Sequence, residues 1–177
     1  MSSLEIRPAS VADLPSITEI YSHEVREGTA TFELVPPDLA EMTRRFQALV
    51  DGGFPYLVAE SDGDVAGYAY ASSYRPRPAY RFTVENSVYL RPSFHRRGIG
   101  RQLLERLISE CEAGGFRQMI AVIGDSANTA SIGVHAACGF QMIGTHPSVG
   151  LKFGRWLDTV MMQRELGAGA STVPSAG

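Results

Sequence analysis

The sharpest constraint on this chain is a change of pattern at residue 90. Up to there, Thr83–Leu90 (TVENSVYL) reads as a β-strand, with Val84, Val88 and Leu90 among its β-formers. Arg91-Pro92 breaks it, His95–Gly100 (HRRGIG) makes a glycine loop, and RQLLERLISECEAGG follows as an amphipathic helix. Leu103, Leu104, Leu107, Ile108 and Cys111 form one apolar stripe on that helix, and Gly114-Gly115 stops it. A glycine loop feeding a helix start presents unpaired N–H groups at the positive end of the helix dipole, an anion site suited above all to pyrophosphate. Gly98 and Gly100 let phosphate oxygens approach the backbone, while Arg96, Arg97 and Arg101 supply cations beside it. A tight turn with no ligand is the alternative for Gly-x-Gly; the three arginines favour phosphate.

The flanking pattern places this unit in a mixed α/β domain. Leu4–Ala9 is a short strand, and Ser10-Val11-Ala12-Asp13 opens a helix like a capping box, with Val11, Leu14, Ile17 and Tyr21 at helical spacing. That helix fades near Gly28; Pro36-Pro37-Asp38 starts a second, which carries Leu39, Met42, Phe46 and Leu49 and ends at Gly52-Gly53. Tyr56–Ser61 and Val65–Ser73 flank Asp62-Gly63-Asp64 as a hairpin, and proline-rich Tyr74–Tyr80 is a loop before the strand at 83–90. Arg117–Ile123 is a buried strand, a helix runs from about Asn128 to Cys138, and Phe140–Thr145 and Trp156–Arg164 close the domain as strands. The predicted order is β α α β β β α β α β β. It lacks the strict alternation of a doubly wound fold.

Length fits one domain, 1–166, with the small and polar stretch 167–177 expected as a disordered tail. Hydrophobic residues make up 44% and charged residues 20%, which excludes a disordered or fibrous chain. A net charge of −3 speaks against general nucleic-acid binding, which needs a broad basic face. Cys111 and Cys138 have no CxxC partner and read as buried free thiols. No apolar run approaches the ~18 residues of a membrane span, and the first ten residues lack a basic region followed by an apolar core. A soluble, reduced, cytoplasmic protein is expected, with no membrane or nucleic-acid partner and no metal.

Two common phosphate motifs are missing. The pattern GxxxxGK[ST] does not occur, and Leu103 stands where GxGxxG needs its third glycine. What remains resembles the Gcn5-related N-acetyltransferase (GNAT) family, whose acetyl-CoA loop has the form Gln/Arg-x-x-Gly-x-Gly/Ala after a central strand. His95-Arg96-Arg97-Gly98-Ile99-Gly100 matches it, except that His95 replaces the usual Gln or Arg. Likeness extends over about Leu4–Leu166: SVADLPSITEIY, GTATFE (28–33), TVENSVYL, AVIGDSANTASIGVHAACGF (121–140) and KFGRWLDTVMM (152–162) look like the subgroup of phosphinothricin and methionine sulfoximine/sulfone N-acetyltransferases.

The resemblance implies a GNAT acyl-CoA N-acyltransferase fold, a mostly antiparallel mixed sheet flanked by helices. It also implies acetyl-CoA as co-substrate and a homodimer. Cofactor contacts are expected at Val88, Tyr89, Leu90, Arg96, Arg97, Gly98, Ile99, Gly100, Arg101, Asn128 and Ser131, and substrate contacts at Phe32, Arg75, Pro76, Arg77, Glu85, Asn86 and Ser87. Several of these have an independent reading. Strand alternation puts Glu85 and Ser87 on one face and Asn86 and Val88 on the other, and a carboxylate in a central strand is costly to bury without a task. The matching Glu is the general base in phosphinothricin acetyltransferases; an exposed strand end is the alternative. Asn128, Ser131 and His135 share one helical face, suited to a pantetheine arm or simply to solvent. His135 is the candidate proton donor to the leaving thiolate, which departs readily even without one. Arg75 offers a fork for an α-carboxylate, or with Arg77 and Arg81 merely solvates a loop. Phe32 is either a cap on the substrate or a core aromatic.

The expected reaction is attack of a neutral α-amine on the thioester, assisted by a backbone N–H near Leu90 at the splayed end of the strand. Other readings are acetylation of a protein N-terminus or a polyamine, against which Arg75 and Arg77 weigh in the second case, and a non-catalytic acyl-CoA sensor, against which Glu85 and His135 weigh.

Overall fold

The structure is a computed structural model that describes residues 4–174. Seven strands and four helices follow the predicted order: β1 (Leu4–Pro8), α1 (Leu14–Glu27), α2 (Leu39–Asp51), β2 (Tyr56–Ser61), β3 (Asp64–Ser73), β4 (Thr83–Leu90), α3 (Ile99–Ala113), β5 (Gln118–Gly124), α4 (Thr129–Ala137), β6 (Gln141–Lys152) and β7 (Arg155–Glu165). They form one sheet in the order β1-β2-β3-β4-β5-β7-β6. Every neighbouring pair is antiparallel except β4–β5. A parallel pair needs a crossover, and α3 supplies it.

Two apolar layers sandwich the sheet. On one face the stripe of α3 (Leu103, Leu104, Leu107, Cys111) packs with Val84, Met119, Ala121, Val160 and Met162. On the other, Leu14, Ile17 and Tyr21 of α1 and Met42 and Phe46 of α2 pack on Tyr56, Val58 and Tyr68. Alternation along β4 therefore sends Val84, Val88 and Leu90 toward α3, and Tyr89 toward α1.

Pairing between β4 and β5 is short. It runs from Thr83↔Gln118 to Asn86↔Ala121 and stops. Beyond that point Ser87–Leu90 stay paired to β3, and Val122–Gly124 stay paired to β7. The sheet splits there into a fork whose inner edges have no strand partner.

Three expectations from sequence are adjusted. Ser10 and Asp13 do cap the start, with the Asp13 carboxylate accepting from Ser10 N–H at 2.7 Å, but residues 11–13 form a 3-10 turn and Val11 is exposed rather than part of the apolar stripe. β6 runs on to Lys152 instead of ending at Thr145; Pro147 sits in a register break between His146 and Gly150, which an edge strand tolerates. Of the expected tail, 167–174 forms turns tied down by Arg117, whose Nη1 donates to the Gly169 carbonyl at 3.2 Å and Thr172 Oγ1 at 3.1 Å; 175–177 lie outside the described residues. Cys111 and Cys138 are free and buried, and burial pushes the Cys111 thiol up to about 12.

Candidate active site

A cavity of about 340 Å³ opens in the fork. Its walls are Glu85–Tyr89 from β4, Ala121–Gly124 from β5, Asn128, Ser131 and His135 from the start and face of α4, and Ala30–Phe32 from the loop after α1; Tyr70 and Thr159 complete it. Residues far apart in sequence thus converge where the sheet has lost its hydrogen bonds.

Glu85 is partly buried on the α1 side of β4. Burial pushes its carboxyl above the ordinary carboxylate range, and the Arg75 guanidinium pulls in the opposite direction. Tyr70 lies across the β3–β4 ladder from Ser87, on the same face, and burial holds it as a neutral phenol.

On the other face, Asn86 and His135 are joined. Both are buried, and Asn86 Nδ2 lies 2.9 Å from His135 Nε2. His135 Nδ1 lies 2.8 Å from the Ser131 carbonyl, which can only accept, so Nδ1 carries the proton and Nε2 accepts from Asn86. Burial lowers the His135 pKa, consistent with this neutral tautomer. Both ring nitrogens are engaged inside the protein. His135 is thereby placed as the partner that orients the Asn86 amide, and protonating a thiolate would first require it to release Asn86. Asn128 is likewise engaged: its Oδ1 caps α4 by accepting from Ser131 N–H at 3.2 Å.

The glycine loop begins where β4 ends. Residues 92–94 make a 3-10 turn, His95 Nε2 lies 3.4 Å from the Leu90 carbonyl, and Gly98 caps α3 with φ +77°, a left-handed conformation that glycine adopts without penalty. Gln102 N–H, bonded to the Gly98 carbonyl at 3.2 Å, is the first amide satisfied. Those of Ile99, Gly100 and Arg101 precede it and have no acceptor among the described residues. Gly100 is buried, and a Cβ there would stand 3.3 Å from Leu90 Cδ1. Arg97 lies over the Phe94 ring at 5.0 Å, while Arg101 is paired to Glu105 at 2.7 Å. The helix terminus is therefore free for an anion, though one of its three cations is already engaged.

Not every expected residue reaches the cavity. Arg75, Pro76 and Arg77 are exposed on the 74–82 loop and do not line it; the Arg75 guanidinium rests 5.0 Å over the Tyr74 ring. Leu90 and the 96–101 loop also lie beyond its lining, at the open end of β4. Conversely, Tyr70, Thr31, Gly124 and Thr159 line the site without having been singled out. Period-2 alternation and the β3–β4 register would have found Tyr70; the others depend on how β5, β7 and the 28–33 loop meet. No cluster of three or more His, Cys, Asp or Glu suited to a metal occurs among the described residues.

Known proteins share this architecture. Residues 16–140 match the family model described as the acetyltransferase (GNAT) family. The chain is 61% identical over 162 residues to a phosphinothricin N-acetyltransferase of Alcaligenes faecalis, covering 92% of this chain and 82% of that one. It is 46% identical over 165 residues to an L-methionine sulfoximine/L-methionine sulfone acetyltransferase of Pseudomonas paraeruginosa, covering 93% and 95%. The crystal structure of a GNAT superfamily phosphinothricin acetyltransferase from Sinorhizobium meliloti, in complex with AcCoA, superposes with a TM-score of 0.96 at 51% identity over 98% of this chain and 94% of that one. With its forked sheet, its glycine-capped helix and these relatives, the chain belongs to the GNAT acetyltransferase family.

Proposed function

We propose that the protein transfers the acetyl group of acetyl-CoA to the α-amine of a small amino-acid-like substrate of the methionine sulfoximine, methionine sulfone or phosphinothricin type. The observation that carries this reading is the fork itself, with a carboxyl group at its base and a free helix N-terminus at its mouth. The unpaired amides at the start of α3, with Arg96 and Arg97, suit a pyrophosphate. The unpartnered edges of Val88–Leu90 and Val122–Gly124 suit an amide-bearing arm lying between them like a missing strand, with Asn128 and Ser131 alongside. Names of the relatives support the substrate class.

Each side chain has a task in that reaction. An amino-acid amine is protonated at neutral pH and attacks only after losing that proton; Glu85 takes it, directly or through a water. A backbone N–H on the open edge of β4 near Leu90 receives the negative charge growing on the carbonyl oxygen. The departing thiolate, with a pKa near 8.5, leaves without obligatory protonation, so an engaged His135 is no obstacle. Arg75, at the rim and electrostatically coupled to Glu85, pairs with the substrate carboxylate; Phe32 and Tyr70 bound the side chain. The protein acts as a homodimer in the cytoplasm, joined through the exposed apolar surface of β6 and β7. Among the described residues no helix is long and apolar enough to cross a membrane.

Thiol release from acetyl-CoA, followed against a panel of methionine sulfoximine, methionine sulfone, phosphinothricin, a polyamine and an N-terminal peptide, tests this reading. Turnover should concentrate on the three amino acids. Preference for the peptide or the polyamine, or no release at all, would overturn it.

A further inference from the structure

The loop 28–33 carries Phe32 into the cavity wall, and its polar groups are fixed from outside. The Glu24 carboxylate accepts from Ala30 N–H at 2.9 Å, and Tyr21 Oη lies 2.9 Å from Thr31 Oγ1 and donates to Glu33 Oε1 at 3.1 Å. From the far edge of the sheet, the Lys152 ammonium donates to the carbonyls of Gly28 and Thr31, both at 2.7 Å. Lys152 is only 3% exposed and has no carboxylate at ion-pair distance among the described residues. Gly28 caps the C-terminus of α1, where the helix dipole favours a cation.

A buried ammonium is an expensive way to fill space, since an apolar side chain would do so without desolvating a charge. The two carbonyls accept its hydrogen bonds, the Phe153 ring lies 5.0 Å from it, and the charge of Glu24 offsets part of the desolvation. Phe32 is seated between the edge strand β6 and β5: a Cβ on Gly150, two residues before Lys152, would run into the Phe32 ring, and one on Gly124 of β5 would run into the Thr29 carbonyl and stand 3.0 Å from Phe32 Cε1. The edge strand thus supplies the clamp for the loop backbone and, with β5, the slot for the ring.

We infer that Lys152, although outside the cavity lining, is a positioning residue for the amine substrate, its ammonium holding the carbonyls of Gly28 and Thr31 so that Phe32 stands preformed as a wall of the Glu85 cavity. This rests on the amine-acetylating reading above. The acetyl-CoA half of the site, built from α3 and α4, is independent of Lys152.

Lys152→Met keeps the aliphatic stem and removes the donors; Gly150→Ala displaces Phe32 without touching the lysine. Hydrogen exchange of the 28–33 amides, read without any substrate, should accelerate in Lys152→Met. In whichever amino acid the wild type turns over, KM should rise on the order of tenfold in both variants, equivalent to about 1.4 kcal/mol. Calorimetric acetyl-CoA affinity should change less than twofold, which also certifies folding. Unchanged loop exchange in folded Lys152→Met overturns the inference even if the amine panel finds no substrate for the wild type. So does accelerated exchange with an unchanged amine KM, or an equal loss for amine and acetyl-CoA.

Discussion

Glu85 and His135 are both titratable groups at the fork, and their surroundings send them in different directions. Glu85 has no fixed hydrogen-bond partner among the described residues and a carboxyl raised by burial, so it is free to exchange a proton. His135 is neutral with both nitrogens committed. Glu85→Gln should therefore lower kcat by about 10²–10⁴, the usual worth of a general base, and the loss should shrink as pH rises and more amine is already neutral. The raised folded-state pKa also fixes a sign for stability: the carboxyl favours folding below its unfolded pKa and loses that contribution as pH rises through the folded value. Glu85→Gln should consequently melt higher than wild type at pH 7 in a calorimetric scan, while turning over more slowly. A slower but less stable variant would mean that Glu85 holds the fold rather than the proton. Sequence made Glu85 legible because a carboxylate among β-formers is conspicuous. It could not make the Asn86–His135 bond legible, because that contact spans 49 residues and depends on how α4 lies against β4.

The β4–loop–α3 unit was readable because all its signals are local: alternation, a break at Arg91-Pro92, glycines, then a 3.6-residue period. Its free amides depend on Gly98 in a left-handed conformation and Gly100 with no side chain. Gly100→Val should abolish measurable acetyl-CoA binding in calorimetry, because the branched side chain faces Leu90 and occupies the approach to the helix terminus. Unchanged affinity would place the phosphates elsewhere. β6 was less readable. Pro147 looks like a strand terminator in isolation, and only a register break on an outer strand lets pairing resume at Gly150. The shortness of the β4–β5 ladder, on which the whole site depends, has no sequence signature at all, because it is a property of two strands and their outer neighbours.

At the scale of the molecule, the outer edge of the sheet is unusually apolar. Met142, Ile143, Val149, Leu151, Phe153 and Trp156 on β6, its turn and β7 are each more than half exposed, and Leu151 and Trp156 sit directly opposite one another. Such a patch on an edge strand invites pairing with another chain. The homodimer proposed above should therefore dissociate in analytical ultracentrifugation on Trp156→Arg, with the fold intact by circular dichroism; a wild type that sediments as a monomer would exclude it. The strand that bears this patch also holds the loop at residues 28–31, across 121 to 124 positions of chain. Synthesis runs at ~5–20 residues per second, so α1 and its loop would wait about 6–25 s on the ribosome for the lysine that pins them. Closing so long a loop is also a slow step in refolding, because the entropy is lost before any contact repays it. The helices and inner strands can form early, but the amine side of the catalytic cavity is finished only when the last hairpin docks.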